Sequence, residues 1–131
     1  MDDAEAVLAR FVKGQQEMDL DLLVSCWHED CEVTHPLRPA RSWRGAETFR
    51  QVTARIWANK PDRHWSLVAS AVVGDTIFLE TVTEHAEGVT PLMGIMEVED
   101  GKIRRGRMYT DNPINDGASM TEWVSDLNPT V

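Results

Sequence analysis

Ala4, Val7, Leu8, Phe11 and Val12 recur at the i, i+3, i+4, i+7, i+8 spacing that lays one apolar stripe along a helix. The spacing predicts a first helix ending near Met18. Asp19 follows as a cap, because its carboxylate can accept the orphan N–H groups of a first turn, for a short second helix carrying Leu20, Leu23, Val24 and Trp27. From Cys31 to His35 the pattern changes to alternation, with Cys31, Val33 and His35 on one side and Glu32 and Thr34 on the other. That predicts a short strand stopped by Pro36. After the loop P-L-R-P-A-R-S-W, Gly45 opens a third helix in which Ala46, Phe49, Thr53, Ile56 and Trp57 repeat at helical spacing. Asn59-Lys60-Pro61 ends it.

The second half alternates at strand period. Arg63 to Val73, Thr76 to His85, Val89 to Glu99 and a last strand ending in a Tyr109/Asp111 pair are separated by Gly74-Asp75, Glu87-Gly88 and Asp100-Gly101. Asp-Gly suits a tight type I′ turn, whose two central residues both need positive φ. The pattern is a meander of long antiparallel strands. In the first of them Trp65, Leu67, Ala69, Ala71 and Val73 share a face by the period of two. In the next, Ile77 and Leu79 sit with Thr81, Thr83 and His85, and Phe78 and Val82 with Glu80 and Glu84. Neither side is purely apolar, as expected for a sheet with one face lining a partly wet pocket and the other in a dimer interface. Helices followed by a curved sheet mean α+β and not alternating βαβ units. Beyond Asp111 the chain leaves through N-P-I-N-D-G to a short amphipathic segment, Met120 to Leu127, bearing Trp123, Val124 and Leu127 and placed to close a cavity mouth or cross to a partner subunit.

Composition narrows the function classes. A chain of 131 residues is the size of one domain with a full core, here residues 1–131 with its centre at about 4–111. A net charge of −9 with a pI near 4.8 repels phosphate backbones and argues against nucleic acid as a partner. No run approaches the roughly 18 apolar residues of a membrane span, and the opening M-D-D-A-E is acidic where a signal peptide is basic. No membrane partner and a cytoplasmic location are therefore expected. Cys26 and Cys31 are too far apart for C-x-x-C and are expected as buried thiols without a disulfide. Arg38, Arg41, Arg44 and Arg50 cluster around one loop, and Arg104, Arg105 and Arg107 in the last strand. A solvated face paired with carboxylates is favoured there over an anion site.

The segments W-H-E-D-C-E-V-T-H-P, W-R-G-A-E-T-F, G-D-T-I-F-L-E-T-V-T and D-G-K-I-R-R-G-R-M-Y-T-D, behind one long and one short helix, together resemble the SnoaL-like branch of the nuclear transport factor two-like superfamily. The resemblance runs from about Ala4 to Asp111. It implies a cone-shaped, cystatin-like α+β barrel in which a strongly bent antiparallel sheet wraps the N-terminal helices around one deep cavity, usually in a homodimer. Its members include polyketide cyclases, ketosteroid isomerases, dehydratases and limonene-epoxide hydrolases, so one scaffold hosts unrelated chemistries. The departures are specific. The Arg and Asp of the epoxide-hydrolase pattern fall on Thr81 and Thr83, its second Asp near Met108 and its water-holding Asn near Thr34, which argues against that mechanism. Of the ketosteroid-isomerase pattern, the oxyanion Tyr is matched by Phe11 and the protonated Asp by a position near Gly94. The base position before a proline keeps an ionisable group, His35.

Imidazole titrates near neutral pH, and a positioned general base is worth about 10² to 10⁴ in rate, which makes His35 the first catalytic candidate. The competing role is a core histidine with one satisfied hydrogen bond. Tyr109 and Asp111, two apart, project from one face of the last strand. Asp111 resembles the pocket acid/base of polyketide cyclases, and burial would raise its pKa. Its competing role is to cap the reversal at Asn112-Pro113. Glu80, Glu84 and His85 could form a second polar cluster or stand as exposed strand residues. Trp27, Trp43 and Trp65 with Met93, Met96 and Met108 suit a flat apolar ligand, ordinary core packing being the commoner use of each. His28, His35, His64 and His85 show no metal-ligand spacing, and neither a metal nor a cofactor is expected. The expectation is a cofactor-free acid/base enzyme, a cyclase, isomerase or dehydratase, acting on a small hydrophobic polyketide-like or terpenoid-like molecule. A non-catalytic small-molecule-binding or dimeric adaptor module of the same fold is the alternative.

Overall fold

The computed structural model describes residues 3–86 and 88–110. Asp111, the Asn112-Pro113 reversal and the Met120 to Leu127 segment lie outside the described residues, as does Glu87. Helix α1 (Asp3–Glu17) buries Ala4, Val7 and Phe11, the stripe its spacing predicts. Asp19 caps α2 (Leu20–Ser25) as expected, its carboxylate accepting the Leu22 N–H at 3.1 Å. That helix stops before Trp27: Cys26 returns its N–H to the Leu23 carbonyl, and Trp27 already pairs with Ile103. Strand β1 (Trp27–Thr34) is accordingly longer than the alternation from Cys31 implies, and His35 is the first residue beyond it. A short strand β2 (Trp43–Arg44), which the sequence pattern did not indicate, pairs with β1. Gly45, at φ 90, then opens α3 (Ala46–Asn59).

Four long strands complete the sheet: β3 (His64–Val73), β4 (Thr76–His85), β5 (Gly88–Glu99) and β6 (Lys102–Tyr109). Asp100 at φ 52 and Gly101 at φ 76 make the tight β5–β6 turn that Asp-Gly predicts. The strand order is β2-β1-β6-β5-β4-β3. Four ladders are antiparallel, but β1 runs parallel to β6, so the sheet is mixed rather than antiparallel throughout. A parallel pair needs a long crossover, and everything from β2 to β5 lies between these two strands in the chain.

One face assignment changes. Leu67 pairs with Thr81 and Ala69 with the adjacent Glu80, so Val68 is an extra residue bulged out of β3. A bulge of one residue reverses the inward–outward alternation beyond it. Trp65 and Leu67 therefore face the helices, while Ala69, Ala71 and Val73 are exposed and Val72 packs on the core.

Helix α1 lies against β3 to β6 and α3 against β1 and β2, which puts the core on the concave face. Its centre is Trp27, Leu23, Ile77, Leu79, Met96 and Ile103, all but excluded from solvent. Cys26 and Cys31 are buried free thiols, and burial pushes the Cys31 thiol up to about 11. Apart from Arg38 and the buried Arg41, the arginine clusters behave as a paired surface. Arg44, Arg50, Arg104, Arg105 and Arg107 all lie within 4.0 Å of a carboxylate. None of the helices described is long and apolar enough to cross a membrane.

Gly14 sets the spacing of α1 and α2, because a Cβ there would lie 3.0 Å from the Leu23 backbone nitrogen and 3.1 Å from its Cα. Backbone cannot step aside as a flexible side chain can. Gly14→Ala should therefore destabilise the fold by about 1 kcal/mol or more, although alanine is intrinsically the better helix former by about 1 kcal/mol. Urea denaturation reads this directly, and a midpoint at or above that of the wild type would show slack between the helices.

Candidate functional site

A cavity of about 240 Å³ opens between the concave face and helices α1 and α3. Its inner wall is aromatic because three distant segments each contribute a ring: Trp27 starts β1, Trp43 starts β2 and Phe49 lies on the inward stripe of α3. Their centroids lie 5.0 Å (Trp27–Phe49), 5.3 Å (Trp43–Phe49) and 6.3 Å (Trp27–Trp43) apart, within the range of favourable tilted packing. Phe11 and Trp65 add an edge-to-face pair at 6.4 Å on the opposite side. Two glycines keep this space open. A Cβ on Gly94 would meet Leu79 and Met108 at 3.2 Å, and one on Gly106 would meet the Trp27 ring at 3.0 Å.

Polar groups gather where the strands end. Because β1 and β6 are parallel, His35 leaves the sheet on the same edge as Thr110. The antiparallel register brings Thr83 opposite Thr90 and Thr81 opposite Leu92 toward that edge. All of these residues line the cavity, as does His85. His35 is held at both ends of its backbone: its N–H donates to Ser42 Oγ at 3.0 Å, and its carbonyl accepts from the Arg38 N–H at 2.9 Å. The ring is buried, and its Nδ1 has no hydrogen-bond partner among the described residues. Desolvation, reinforced by the positive charge of Arg41 and only partly opposed by a hydrogen bond with the Arg41 backbone, lowers the pKa of His35 from 6.5 to about 4. At neutral pH the imidazole is uncharged. His85 presents a second imidazole, its Nε2 3.3 Å from Thr90 Oγ1 and its Nδ1 without a partner among the described residues.

The other residues singled out from the sequence divide by face. Trp27, Trp43, Trp65 and Met108 line the cavity with His35. Met96 faces the same side but is sealed in the core below it. Met93 and Tyr109 pair with each other across β5 and β6 on the opposite, outer face and are exposed. Tyr109 therefore does not join His35, since its neighbours Met108 and Thr110 hold the inward positions. Asp111 lies outside the described residues. Glu80 and Glu84 stay off the cavity wall, whereas His85 lines it, as its parity with Leu79 and Thr83 indicates. Arg41, Lys60 and Arg63 also line the cavity, and sequence reasoning missed them as site residues: all three stand on loop or single-turn backbone, where no periodicity reports a direction. Among the described residues the lining contains no Asp or Glu. No cluster of three potential metal-ligating His, Cys, Asp or Glu residues occurs among them either.

Solved structures with this architecture are numerous and distant in sequence. An NTF-2 like protein of unknown function from Burkholderia xenovorans LB400 superposes with a TM-score of 0.74 at 14% identity, over 93% of this chain and 93% of that one. An LEH-like epoxide hydrolase of M. tuberculosis gives 0.65 at 16% identity, over 95% of this chain and 90% of that one. A cystatin fold protein from Novosphingobium aromaticivorans gives 0.69 at 17% identity, covering 82% and 97%. At such identities the likeness is one of fold. No functionally curated protein matches the sequence significantly. A model of the SnoaL-like domain does match, over residues 8–106, and by that span the chain belongs to the SnoaL-like family.

Proposed function

We propose that the protein is a cofactor-free acid/base enzyme, a cyclase, isomerase or dehydratase, acting on a small hydrophobic polyketide-like or terpenoid-like molecule bound in the cavity. The observation that carries this reading is His35: a buried, uncharged imidazole whose Nδ1 has no hydrogen-bond partner among the described residues, fixed in the wall of an aromatic cavity. A neutral imidazole can take a proton from an activated C–H or O–H of a ligand stacked on the aromatic wall. An imidazole of pKa about 4 is a weak base on its own. The enolate left behind would sit beside the new imidazolium in a poorly solvated space, and the mutual attraction of the two charges raises the histidine's proton affinity as the reaction proceeds. The positive charge of Arg41 favours the anionic product further.

Simple ligand binding without turnover is supported by one feature: no carboxylate lines the cavity beside His35 among the described residues. Hydrogen–deuterium exchange at the activated methylene of 2-tetralone, a flat bicyclic ketone, separates the two. The wild type should accelerate exchange over buffer. His35→Ala should reduce that acceleration by about 10² or more with little change in the thermal midpoint. Acceleration unchanged in the variant would remove His35 as the base.

The sign of the pH dependence follows from the lowered pKa. Between about 6.5 and 4 the unfolded chain protonates this histidine while the folded protein does not. The stability associated with the neutral buried ring is therefore fully present above pH 6.5 and falls as pH drops toward 4, by on the order of 3 kcal/mol. His35→Phe should lose less stability than the wild type over that interval in denaturant titrations at pH 7 and pH 4.5. Equal losses would mean that the ring ionises normally in the folded state.

We also propose that the protein acts as a homodimer through the outer sheet face, which carries the exposed Phe78, Met93 and Tyr109 together with Val82. The concave face is already occupied by the helices, so these side chains can be covered only from outside. Sedimentation at micromolar concentration should give twice the chain mass, and a single species near 14.8 kDa would exclude the dimer.

A further inference from the structure

We infer that the cavity takes an amphipathic anion, a compact apolar body carrying a carboxylate or a similarly ionised oxygen, with the anionic end on Arg63 and the apolar body against Trp27, Trp43 and Phe49. The inference rests on the proposed reading of the cavity as a small-molecule site and adds the ligand's charge to it.

Arg63 lies in the loop between α3 and β3, on the cavity wall. The surface arginines on β6 and around β1 and α3 have carboxylates beside them, as a chain with 22 acidic and 13 basic residues easily provides. Arg63 has none within ion-pair distance among the described residues. Its Nη2 makes one long contact, 3.4 Å, to the Gln15 side-chain oxygen, and its guanidinium carbon sits 5.5 Å from the centroid of Trp57. Nε and Nη1 are buried with no partner. Burial alone lowers its pKa from 12.5 to about 10, still charged at neutral pH. A guanidinium held this way carries a desolvation cost that no carboxylate among the described residues offsets, and a carboxylate is the group that its fork of donors matches.

The surroundings agree. Two more cations, Arg41 and Lys60, are buried in the same wall, and no described lining residue would repel an anion. The positive potential is already visible at His35, whose protonation Arg41 opposes. All four tryptophans among the described residues line the cavity, which makes a flat hydrocarbon the complementary body. At about 240 Å³ the space is below the roughly 300–1,000 Å³ of drug-sized sites, so the ligand is small.

Calorimetric titration with 2-naphthoate and with 2-naphthamide, which share a shape and differ in charge, tests this. The acid should bind about tenfold more tightly than the amide at low salt, and added salt should weaken only the acid. Arg63→Gln should remove the preference by weakening the acid alone, whereas Arg63→Lys should retain part of it. Equal binding of acid and amide by the wild type would overturn the anionic assignment and leave the apolar cavity site intact. A preference that survives Arg63→Gln would overturn the role of Arg63. If neither compound binds, the small-molecule reading of the cavity falls, and this inference with it. The comparison of the two compounds on the wild type decides the charge question even if the variants fail to fold.

Discussion

The parallel pairing of β1 with β6 is the constraint on which the rest of the structure depends. A strand that follows two helices is laid beside the strand that ends the meander, and both point the same way. Four strands then bring a polar group to the cavity at one edge of the sheet: β1 with His35, β6 with Thr110, β4 with His85 and β5 with Thr90. The same pairing places Trp27 at the base of the cavity. Its ring fits across β6 because residue 106 is glycine, and even a methyl there would lie 3.0 Å from the indole. Stacked on Phe49 and Trp43, that ring ties β1, β2 and α3 into one wall.

Much of the fold was legible in the sequence because it is dictated locally. Helical spacing located α1 and α3, Asp19 announced α2, and Asp100-Gly101 declared a turn whose positive φ values the structure shows. Three features were not legible. The bulge at Val68 is set by register against β4, and no local pattern marks it. Strand β2 is two residues long and exists only as a partner for β1. The boundary at Cys26–Trp27 is decided by pairing with Ile103, which overrides a helical spacing that would have carried Trp27 as a fourth apolar position.

The site divides in the same way. Parity along β4 grouped Thr81, Thr83 and His85 with Ile77 and Leu79 on one face, and the structure shows that this face is the inward one, with Trp43, Trp65 and Met108 also on the cavity wall. Parity failed for Tyr109 and Met93 because strand period alone does not say which of two mixed faces is concave. The pairing of Leu79, Gly94 and Met108 across three strands settles it. Arg41, Lys60 and Arg63 were out of reach for a different reason. A basic residue in a loop of an acidic protein reads as solvated surface, and only the tertiary structure shows that Arg41 and Lys60 are buried and that Arg63 lines the cavity with its Nε and Nη1 buried.

The distribution of charge connects fold to chemistry. By the resemblance drawn from the sequence, the charged or phenolic positions of the epoxide-hydrolase and ketosteroid-isomerase patterns fall on Thr81, Thr83, Phe11 and near Met108 and Gly94, none of which holds a charge, and only the base position keeps an ionisable group, His35. Gly94 could not carry an acid without displacing Leu79 and Met108. What remains in the described wall is two imidazoles whose Nδ1 atoms have no partner among the described residues, and the basic side chains Arg41, Lys60 and Arg63, in a chain whose net charge is −9. Exposed ion pairs elsewhere are weakly stabilising and salt-sensitive, so they do little to define the molecule. A cavity that excludes water strengthens any charge placed inside it. On the proposed reading, Arg63, which has no carboxylate beside it among the described residues, is the group that answers negative charge, whether that charge arrives on the ligand or develops on it when His35 removes a proton.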